Sequence, residues 1–323
     1  MKESVTQNDV AKAAGVSRGL VSLALSNSPR VARETKERIQ TVAESLGYLR
    51  NFGAATLASA RSTLVGMVLP NLRNPYFESL VAAFQAESES RGLTVLTATA
   101  SGDEEREIAM LKHFQAMRVG GIVLTTPSRP ASHYAPYTSQ LPLIIAGAPY
   151  GDGGVNVVHI DEFEAARMAV GHALQRGYRS FAYVASDAED EATAYRRSAI
   201  LAACEDAGRE LHIVCPGEDE QIVNSAKENP GSFCLIAHND YLAIDIVSLV
   251  RQSGLRLGSD LGVLSYDNTF LARHSGFDLT SIDQQPDVQA RLALDALDEM
   301  VAMPDAAPRD IVVPPTLVVR TSA

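Results

Sequence analysis

Apolar runs alternate with helical patterns along the chain from Leu64 onward. The apolar runs are LVGMVL, LTVLTA, GIVLT and LIIAG, and the stretches 76–91 and 104–117 between them have apolar residues at helical spacing. This order predicts β-α-β units in a doubly wound parallel sheet, which is an α/β fold. Ligands of such sheets gather at the carboxyl ends of the strands, so functional side chains are expected there.

The same alternation restarts after Asp161. It predicts helices over 162–176, 194–207 and 240–253, and strands over FAYVA, LHIVC, FCLIAH and LGVLSY. Two similar α/β lobes are therefore expected in the body of the protein.

The N-terminal residues have a different pattern, with two short helices joined by a glycine turn over 6–27. Thr6 and Asp9 have the spacing of a capping box, Gly15 interrupts the first helix, and Ser17 can cap the second. This pattern predicts a helix-turn-helix, a motif typical of DNA-binding proteins. Two helices joined by a glycine turn also occur in ordinary helical bundles, so spacing alone leaves both interpretations open.

A third helix is predicted over 31–46, where apolar residues mark one face, and Gly47 ends it. Ala32 stands at its start and offers no side chain that can cap it. This helix is expected to pack across the first two and to bury Tyr48, which gives a small all-α head. The segment 51–62 is rich in small residues and almost uncharged, so by pattern alone it is a linker.

Charge is distributed unevenly between the head and the body. The chain has 323 residues, of which 46% are apolar, enough for a sizeable core and two or three domains. Residues 1–62 hold nine Lys or Arg against five Asp or Glu, whereas the remaining residues hold 19 against 34. A basic head on an acidic body favours contact of the head alone with DNA phosphates.

The sequence contains no signature of catalysis, metal binding or export. It has no G-x-S-x-G, no Walker loop and no GxGxxG after a strand, so no enzyme is predicted. The histidines are scattered, and Cys204, Cys215 and Cys234 lack CxxC spacing, so we expect buried thiols, no metal and no cofactor. A cytoplasmic location is expected, because neither a membrane span nor a secretory signal is evident.

Several segments together resemble one protein family. In the head these are DVAKAAGVS, NSPRV, ETKERI and AESLGY, and in the body VGMVLPNLRNPYF at 65–77, AHND at 237–240, LSYDNT at 264–269 and PPTLVVRTS at 314–322. Along its whole length the chain is similar to the lactose-repressor (LacI/GalR) family of bacterial transcription regulators. The resemblance implies a periplasmic-binding-protein type I fold for the two-lobed body.

The resemblance also implies the division into domains. The expected domains are a helix-turn-helix DNA-binding domain over 1–50, a hinge helix or linker over 51–62, and an effector-binding and dimerisation domain over 63–323. Within the last domain, lobe one is expected to comprise about 63–161 and 291–320, and lobe two about 162–290.

The resemblance implies that the start of the second helix reads DNA bases. Arg18 can donate there to guanine O6 and N7 in the major groove. Leu20 and Leu23 are expected either to contact a thymine methyl group or to pack. In the family the hinge places an apolar side chain in the minor groove, and Leu57 stands at that position. The expected DNA-binding residues are Thr6, Ser17, Arg18, Gly19, Leu20, Ser22, Leu23, Arg30, Asn51 and Leu57.

In the family a small-molecule effector binds between the lobes. The expected effector-binding residues are Asn74, Tyr76, Phe77, Asp161, Arg196, Asn239 and Asp267. By pattern alone, the two aromatic residues also fit a core, Asp161 fits a helix cap, and Arg196 fits an exposed surface. In the family, a carboxylate at the position of Asp267 binds ligand hydroxyls, and this chain keeps that carboxylate. A sugar or another polar metabolite is therefore predicted as the effector.

These observations predict a sequence-specific transcription regulator, expected to be a repressor, whose affinity for a palindromic double-stranded operator depends on an effector. A homodimer is expected, with a tetramer as the alternative. The rival interpretation is a solute-binding receptor of the same two-lobed fold without a DNA role. Such a receptor needs an export signal and no basic helix-turn-helix, and this sequence departs from it on both counts.

Overall fold

The chain folds into a helical head and a body built on two mainly parallel sheets. The structure is a computed structural model that describes residues 5–25, 28–48, 62–147, 149, 153–186, 190–215 and 219–323. Internal contacts divide the chain into two units, the head (residues 1–61) and the body (residues 62–323).

The described part of the head consists of α1 (Gln7–Ala14), α2 (Arg18–Leu25) and α3 (Arg33–Ser45). Thr6 and Asp9 form the capping box of α1, and Gly15 ends that helix at a φ of 66°, where glycine is not strained. Ser17 Oγ accepts a hydrogen bond from the Leu20 amide at 3.2 Å and so caps α2. The predicted helix-turn-helix is confirmed.

A small apolar core holds the three head helices together. Val10, Val21, Ala24 and Ile39 are fully buried in it. Tyr48 packs against this core but stays partly exposed, so the expected burial of Tyr48 is only partial. At the start of α3 the N-cap residue makes no side-chain hydrogen bond, as predicted for an alanine there.

The strands of lobe one are β1 (Leu64–Leu69), β2 (Thr94–Thr99), β3 (Gly121–Thr125), β4 (Leu143–Ala146), β5 (Asn156–Ile160) and β11 (Asp310–Val313). They run parallel in the order β11-β5-β4-β3-β1-β2. The helices of this lobe are α4 (Pro75–Ser90), α5 (Glu104–Ala116), the short α6 (Ala135–Thr138) and α12 (Pro286–Ala302), with a 3₁₀ turn at Ala131–Tyr134.

The strands of lobe two are β6 (Ser180–Val184), β7 (Leu211–Val214), β8 (Phe233–Ala237), β9 (Leu261–Tyr266), β10 (Thr280–Asp283) and β12 (Thr316–Val318). Their order is β12-β10-β9-β8-β6-β7, and all pairs are parallel except β10 with β12. Its helices are α7 (Glu162–Gln175), α8 (Glu191–Asp206), α9 (Asp219–Glu228), α10 (Asp240–Gln252) and α11 (Phe270–Arg273).

The predicted pair of α/β lobes is confirmed, with differences at the ends of the pattern. The chain crosses between lobes after β5, β10 and β11, and β12 belongs to the second sheet. The expectation that residues 291–320 complete lobe one is therefore wrong for the last part of this range, which forms β12 in lobe two. The sequence pattern also does not predict α9, a largely polar helix that buries Ile222 and Ala226 at a spacing of one turn.

The central strands of both sheets are buried. Every residue of β3, β4 and β8 is buried, as expected for parallel strands covered by helices on both faces. Ligand access is then left to the loops at the carboxyl ends. Within the described part of the chain, no helix is long and apolar enough to cross a membrane.

Candidate functional site

A cleft of about 420 Å³ lies between the two lobes of the body. The predicted effector residues that line it are Asn74, Tyr76 and Phe77 of lobe one and Arg196, Asn239 and Asp267 of lobe two. They come together because each follows a strand at its carboxyl end or lies in the first turns of a helix. Of the predicted set, Asp161 is the residue that does not line the cleft.

A hydrogen bond between Asn74 and Asp267 joins the two lobes directly. Asn74 caps α4, and its Oδ1 accepts from the Tyr76 amide at 3.0 Å, which fixes the orientation of its side-chain amide. Its Nδ2 donates to Asp267 Oδ2 at 3.1 Å, although the two residues are 193 positions apart in the chain. We call this contact the interlobe hydrogen bond.

The carboxylate of Asp267 is buried at the inner end of the cleft. Its backbone lies at a φ of 102°, a region in which non-glycine residues are strained and which is common at functional sites. Gln284 Nε2 donates to Oδ1, so both carboxylate oxygens have partners. Burial raises the pKa of Asp267 to about 7, against the opposing effect of the Arg196 charge; Asp240 adds to the rise.

Arg196 reaches the cleft from α8, but its guanidinium is already paired. Its Nε donates to the Glu162 oxygens at 3.0 and 3.1 Å, and Nη2 donates to Oε1 at 2.8 Å. Both side chains are less than one-tenth exposed. Burial lowers the pKa of Arg196, but the Glu162 carboxylate more than offsets this and keeps the group charged.

Two further contacts fix the position of the Arg196 guanidinium. Its Nη1 donates to the His238 carbonyl oxygen at 2.9 Å, and its Cζ lies 4.3 Å from the centre of the Tyr266 ring. The Nδ1 atom of His238 lies 2.7 Å from the hydroxyl oxygen of Tyr183, within hydrogen-bond distance. Burial and the nearby arginine lower the pKa of His238 well below its usual range, so its ring is neutral.

Tyr76 and Phe77 belong to both the core and the cleft wall. Their exposed fractions are only 5% and 7%, yet both line the cleft. The Tyr76 hydroxyl accepts from Gln289 Nε2 at 3.1 Å, which ties the start of α4 to α12. The two interpretations of these aromatics from the sequence therefore do not exclude one another.

Asp161 and Asn239 both act as helix caps. Asp161 Oδ1 accepts from the Glu164 amide at 2.9 Å and caps α7, outside the cleft lining. The helix-cap interpretation therefore describes Asp161 in this structure, and ligand contact by the same residue stays a prediction. Asn239 Oδ1 accepts from the Leu242 amide at 2.9 Å and caps α10, and its side chain also lines the cleft.

Sequence reasoning missed several polar residues of the site. Glu162, the partner of Arg196, directly follows Asp161, and its buried position 34 residues from the arginine has no local signal. Gln284, which holds Asp267, lies in the crossover after β10. Asp190 could have been found, because it precedes a helical pattern; it caps α8 by accepting from the Thr193 amide at 2.7 Å and lines the cleft.

In the head, the described members of the predicted DNA-binding set lie at the N-cap of α1, at the start of and along α2, and in the segment that precedes α3. Thr6, Ser17, Arg18, Gly19, Leu23 and Arg30 are exposed, whereas Leu20 and Ser22 are partly buried. Leu20 packs against the head core, while Leu23 keeps 40% of its surface exposed, and contact of either with a thymine methyl group stays a prediction. Asn51 and Leu57 lie outside the described residues, and their roles stay predictions.

The described residues contain no group of three or more His, Cys, Asp or Glu that is placed to hold a metal ion. Cys204 and Cys234 are buried thiols, and burial raises the pKa of both. Cys215 is exposed, which differs from the expectation that all three cysteines are buried.

A helix-turn-helix head joined to two α/β lobes around a polar cleft defines a class: DNA-binding transcription regulators with a periplasmic-binding-protein-like body. Comparison with known families places the chain within that class. Residues 6–51 match the family described as bacterial regulatory proteins, lacI family, and residues 170–323 match the periplasmic binding protein-like domain. The chain belongs to the lacI family of bacterial transcription regulators.

Individual relatives agree with this assignment. The HTH-type transcriptional regulator DegA of Bacillus subtilis (strain 168) is 25% identical over 97% of this chain and 96% of its own length. Among solved structures, the lac repressor dimer bound to operator and the anti-inducer ONPF has a TM-score of 0.83 at 22% identity and 99% coverage of each chain. The CelR–cellobiose complex has a TM-score of 0.67 at 23% identity, over 99% of this chain and 100% of that one.

Proposed function

We propose that a polar small molecule bound between the lobes controls the affinity of this regulator for its operator. The interlobe hydrogen bond carries this proposal, because a ligand hydroxyl placed at Asp267 competes with Asn74 for the same carboxylate oxygen. Binding then changes the relative stability of two lobe arrangements. An effector can shift such an equilibrium only by binding one arrangement more tightly than the other, and this contact supplies the difference.

The chemistry of the cleft favours a ligand with several hydroxyl groups. Asn74, Asn239, Asp190 and Asp267 place amide and carboxylate groups along it, and the faces of Tyr76 and Phe77 supply apolar area. The CelR structure of similar fold is a complex with cellobiose, a molecule of this chemistry. A sugar or another polar metabolite is the effector class that fits best.

We also propose that this regulator acts as a homodimeric repressor. The lac repressor of similar fold is a dimer on its operator, and two identical heads require two half-sites related by symmetry. The operator of this regulator is therefore a palindrome. The exposed Arg18 at the start of α2 is the residue we assign to base reading.

Arg18→Ala is expected to weaken operator binding by roughly 1–3 kcal/mol and to relax the preference at one base pair of each half-site, because the forked contact to guanine is lost. The operator is first selected from random duplexes with the unchanged protein, and the variant is then titrated against it and against single-base changes. Arg33→Ala is the matched control, since it removes the same charge from an exposed position on α3. Uniform weakening on all duplexes would mean that Arg18 only contacts phosphate.

Asp267→Asn is expected to weaken effector binding about tenfold or more, because ligand hydroxyls lose a charged acceptor. Asparagine suits the test better than alanine, since it tolerates a positive φ more readily. The loss should be larger at pH 8 than at pH 6, because the carboxyl of Asp267, with a pKa of about 7, is mostly protonated at the lower pH. The effector is found by thermal shift against neutral sugars and polyols, and its affinity is then measured by calorimetry at both pH values.

Operator titrations without effector complete this test. Asp267→Asn should still bind operator, because the head is untouched and the side-chain oxygen of asparagine can still accept the interlobe hydrogen bond from Asn74. Asp245→Asn is the control, since it makes the same charge change on the exposed side of α10. Loss of operator binding in Asp267→Asn, with Asp245→Asn unaffected, would assign Asp267 a structural role and remove it from the effector site.

A further inference from the structure

The pairing of Arg196 has a consequence for the charge of any ligand in the cleft. Nε and Nη2 of the guanidinium donate to Glu162, and Nη1 donates to the carbonyl oxygen of His238. Each nitrogen of the guanidinium therefore already has one acceptor, and its Nε–Nη2 edge is paired with a carboxylate. A forked guanidinium is the group that best binds a carboxylate or phosphate, and here a carboxylate of the protein occupies it.

The other charged groups of the cleft are acidic. Asp190 and Asp267 line it, and Arg196 is the one Lys or Arg among its described lining residues. The Arg196–Glu162 pair is neutral as a unit, so the described lining carries net negative charge when both aspartates are ionised.

We propose that Glu162 is the specificity-determining residue of the cleft, which by neutralising Arg196 selects an uncharged, hydroxyl-bearing effector and excludes carboxylates and phosphate esters. This inference rests on the proposed function of the cleft as the effector site. It goes beyond that function by fixing the charge of the effector and by giving a role to a residue that does not itself line the cleft.

The physical reason is that Glu162 already neutralises the charge of Arg196, so an anion gains the full attraction of the guanidinium only by displacing Glu162. The carboxylate of Glu162 is less than one-tenth exposed, and displacement would leave it buried without its partner. The anion would also approach Asp190 and Asp267, which repel it. An uncharged hydroxyl meets neither penalty, since it can donate to these carboxylates and leave the Arg196–Glu162 pair intact.

The test compares the full-length protein with Glu162→Gln in binding pairs of probes that differ in charge. The pairs are glucose with glucose 6-phosphate, ribose with ribose 5-phosphate, and cellobiose with cellobionate, each measured by calorimetry. We expect the unchanged protein to bind the neutral member of a pair at least about tenfold more tightly than the anionic member. In Glu162→Gln, the freed arginine should tighten binding of the anionic member by a similar factor.

Matched variants separate the role of Glu162 from a general change in charge. Glu164→Gln lies two residues further along α7 and removes the same charge from a carboxylate that pairs with the exposed Arg167, so it should leave both affinities unchanged. In the double variant Glu162→Gln/Arg196→Gln, the gain in anion binding should vanish. A gain that persists there, or that appears equally in Glu164→Gln, would overturn the proposal.

Inorganic phosphate decides the question even if none of these sugars is the effector. In thermal-shift titrations, phosphate should stabilise Glu162→Gln more than it stabilises the unchanged protein, Glu164→Gln or the double variant. Preference of the unchanged protein for the anionic member of a probe pair would overturn the proposal without reference to any variant. The wild-type measurements therefore still decide the matter if Glu162→Gln does not fold. Failure of the proposed function has a different signature, namely that no bound ligand changes operator affinity.

Discussion

Replacing Arg196 by methionine is expected to lower the free energy of unfolding of the body by roughly 3–5 kcal/mol, because it leaves the Glu162 carboxylate buried without a partner. Methionine is chosen because its unbranched chain can fill much of the space of the arginine stem against the Tyr266 ring. The loss can be measured by urea denaturation of the full chain.

A double-mutant cycle shows whether the pair or the packing carries this effect. In Arg196→Met/Glu162→Leu both charges are absent, so most of the lost stability should return. Arg167→Met breaks the Arg167–Glu164 pair, in which both side chains are more than one-third exposed, and should change stability by less than about 1 kcal/mol. A double variant as unstable as the single one would show that the cost comes from lost packing.

The second large effect is expected at Asp240, which does not line the cleft but holds the turn that does. Its buried carboxylate accepts from the Thr269 amide at 2.7 Å, from the Thr269 hydroxyl at 2.9 Å and from the Ser281 hydroxyl at 2.8 Å, and Ser265 also donates to it. The Ser281 oxygen in turn accepts from the Asn268 amide at 3.0 Å. Asp240 thus fixes the two residues that follow Asp267, where the backbone is strained.

Asp240→Ala should destabilise the body by at least about 3 kcal/mol, because several buried donors lose their acceptor at once. Effector affinity should fall as well, since the turn that carries Asp267 is no longer held. Asp245→Ala, an exposed position on the same helix, should change neither quantity. Stability is measured by urea denaturation and affinity by calorimetry at a temperature where the variant is folded. Full effector affinity in a destabilised Asp240→Ala would show that this network does not position Asp267.

The head was predictable because each of its features is encoded within a few neighbouring residues. The capping box needs only Thr6 and Asp9, the turn needs only a glycine that can adopt a positive φ, and Ser17 caps a helix three residues away from its donor. The alternation of apolar runs with helical patterns likewise predicted most strands and helices. Among the elements that the pattern did not predict, the polar helix α9 and the strand β12 bury few apolar side chains and so leave a weak periodic signal.

The sequence by itself therefore determined the head, the two α/β lobes and which residues stand at strand ends. Tertiary structure alone decided how those residues pair. The contacts that define the cleft join Asn74 to Asp267 over 193 positions and Arg196 to Glu162 over 34. They depend on where the folded lobes bring distant helix starts and strand ends together, and no local pattern specifies that. The same reason applies to two neighbouring acidic residues that the sequence pattern did not distinguish. Asp161 caps a helix, whereas Glu162 is buried and pairs with Arg196.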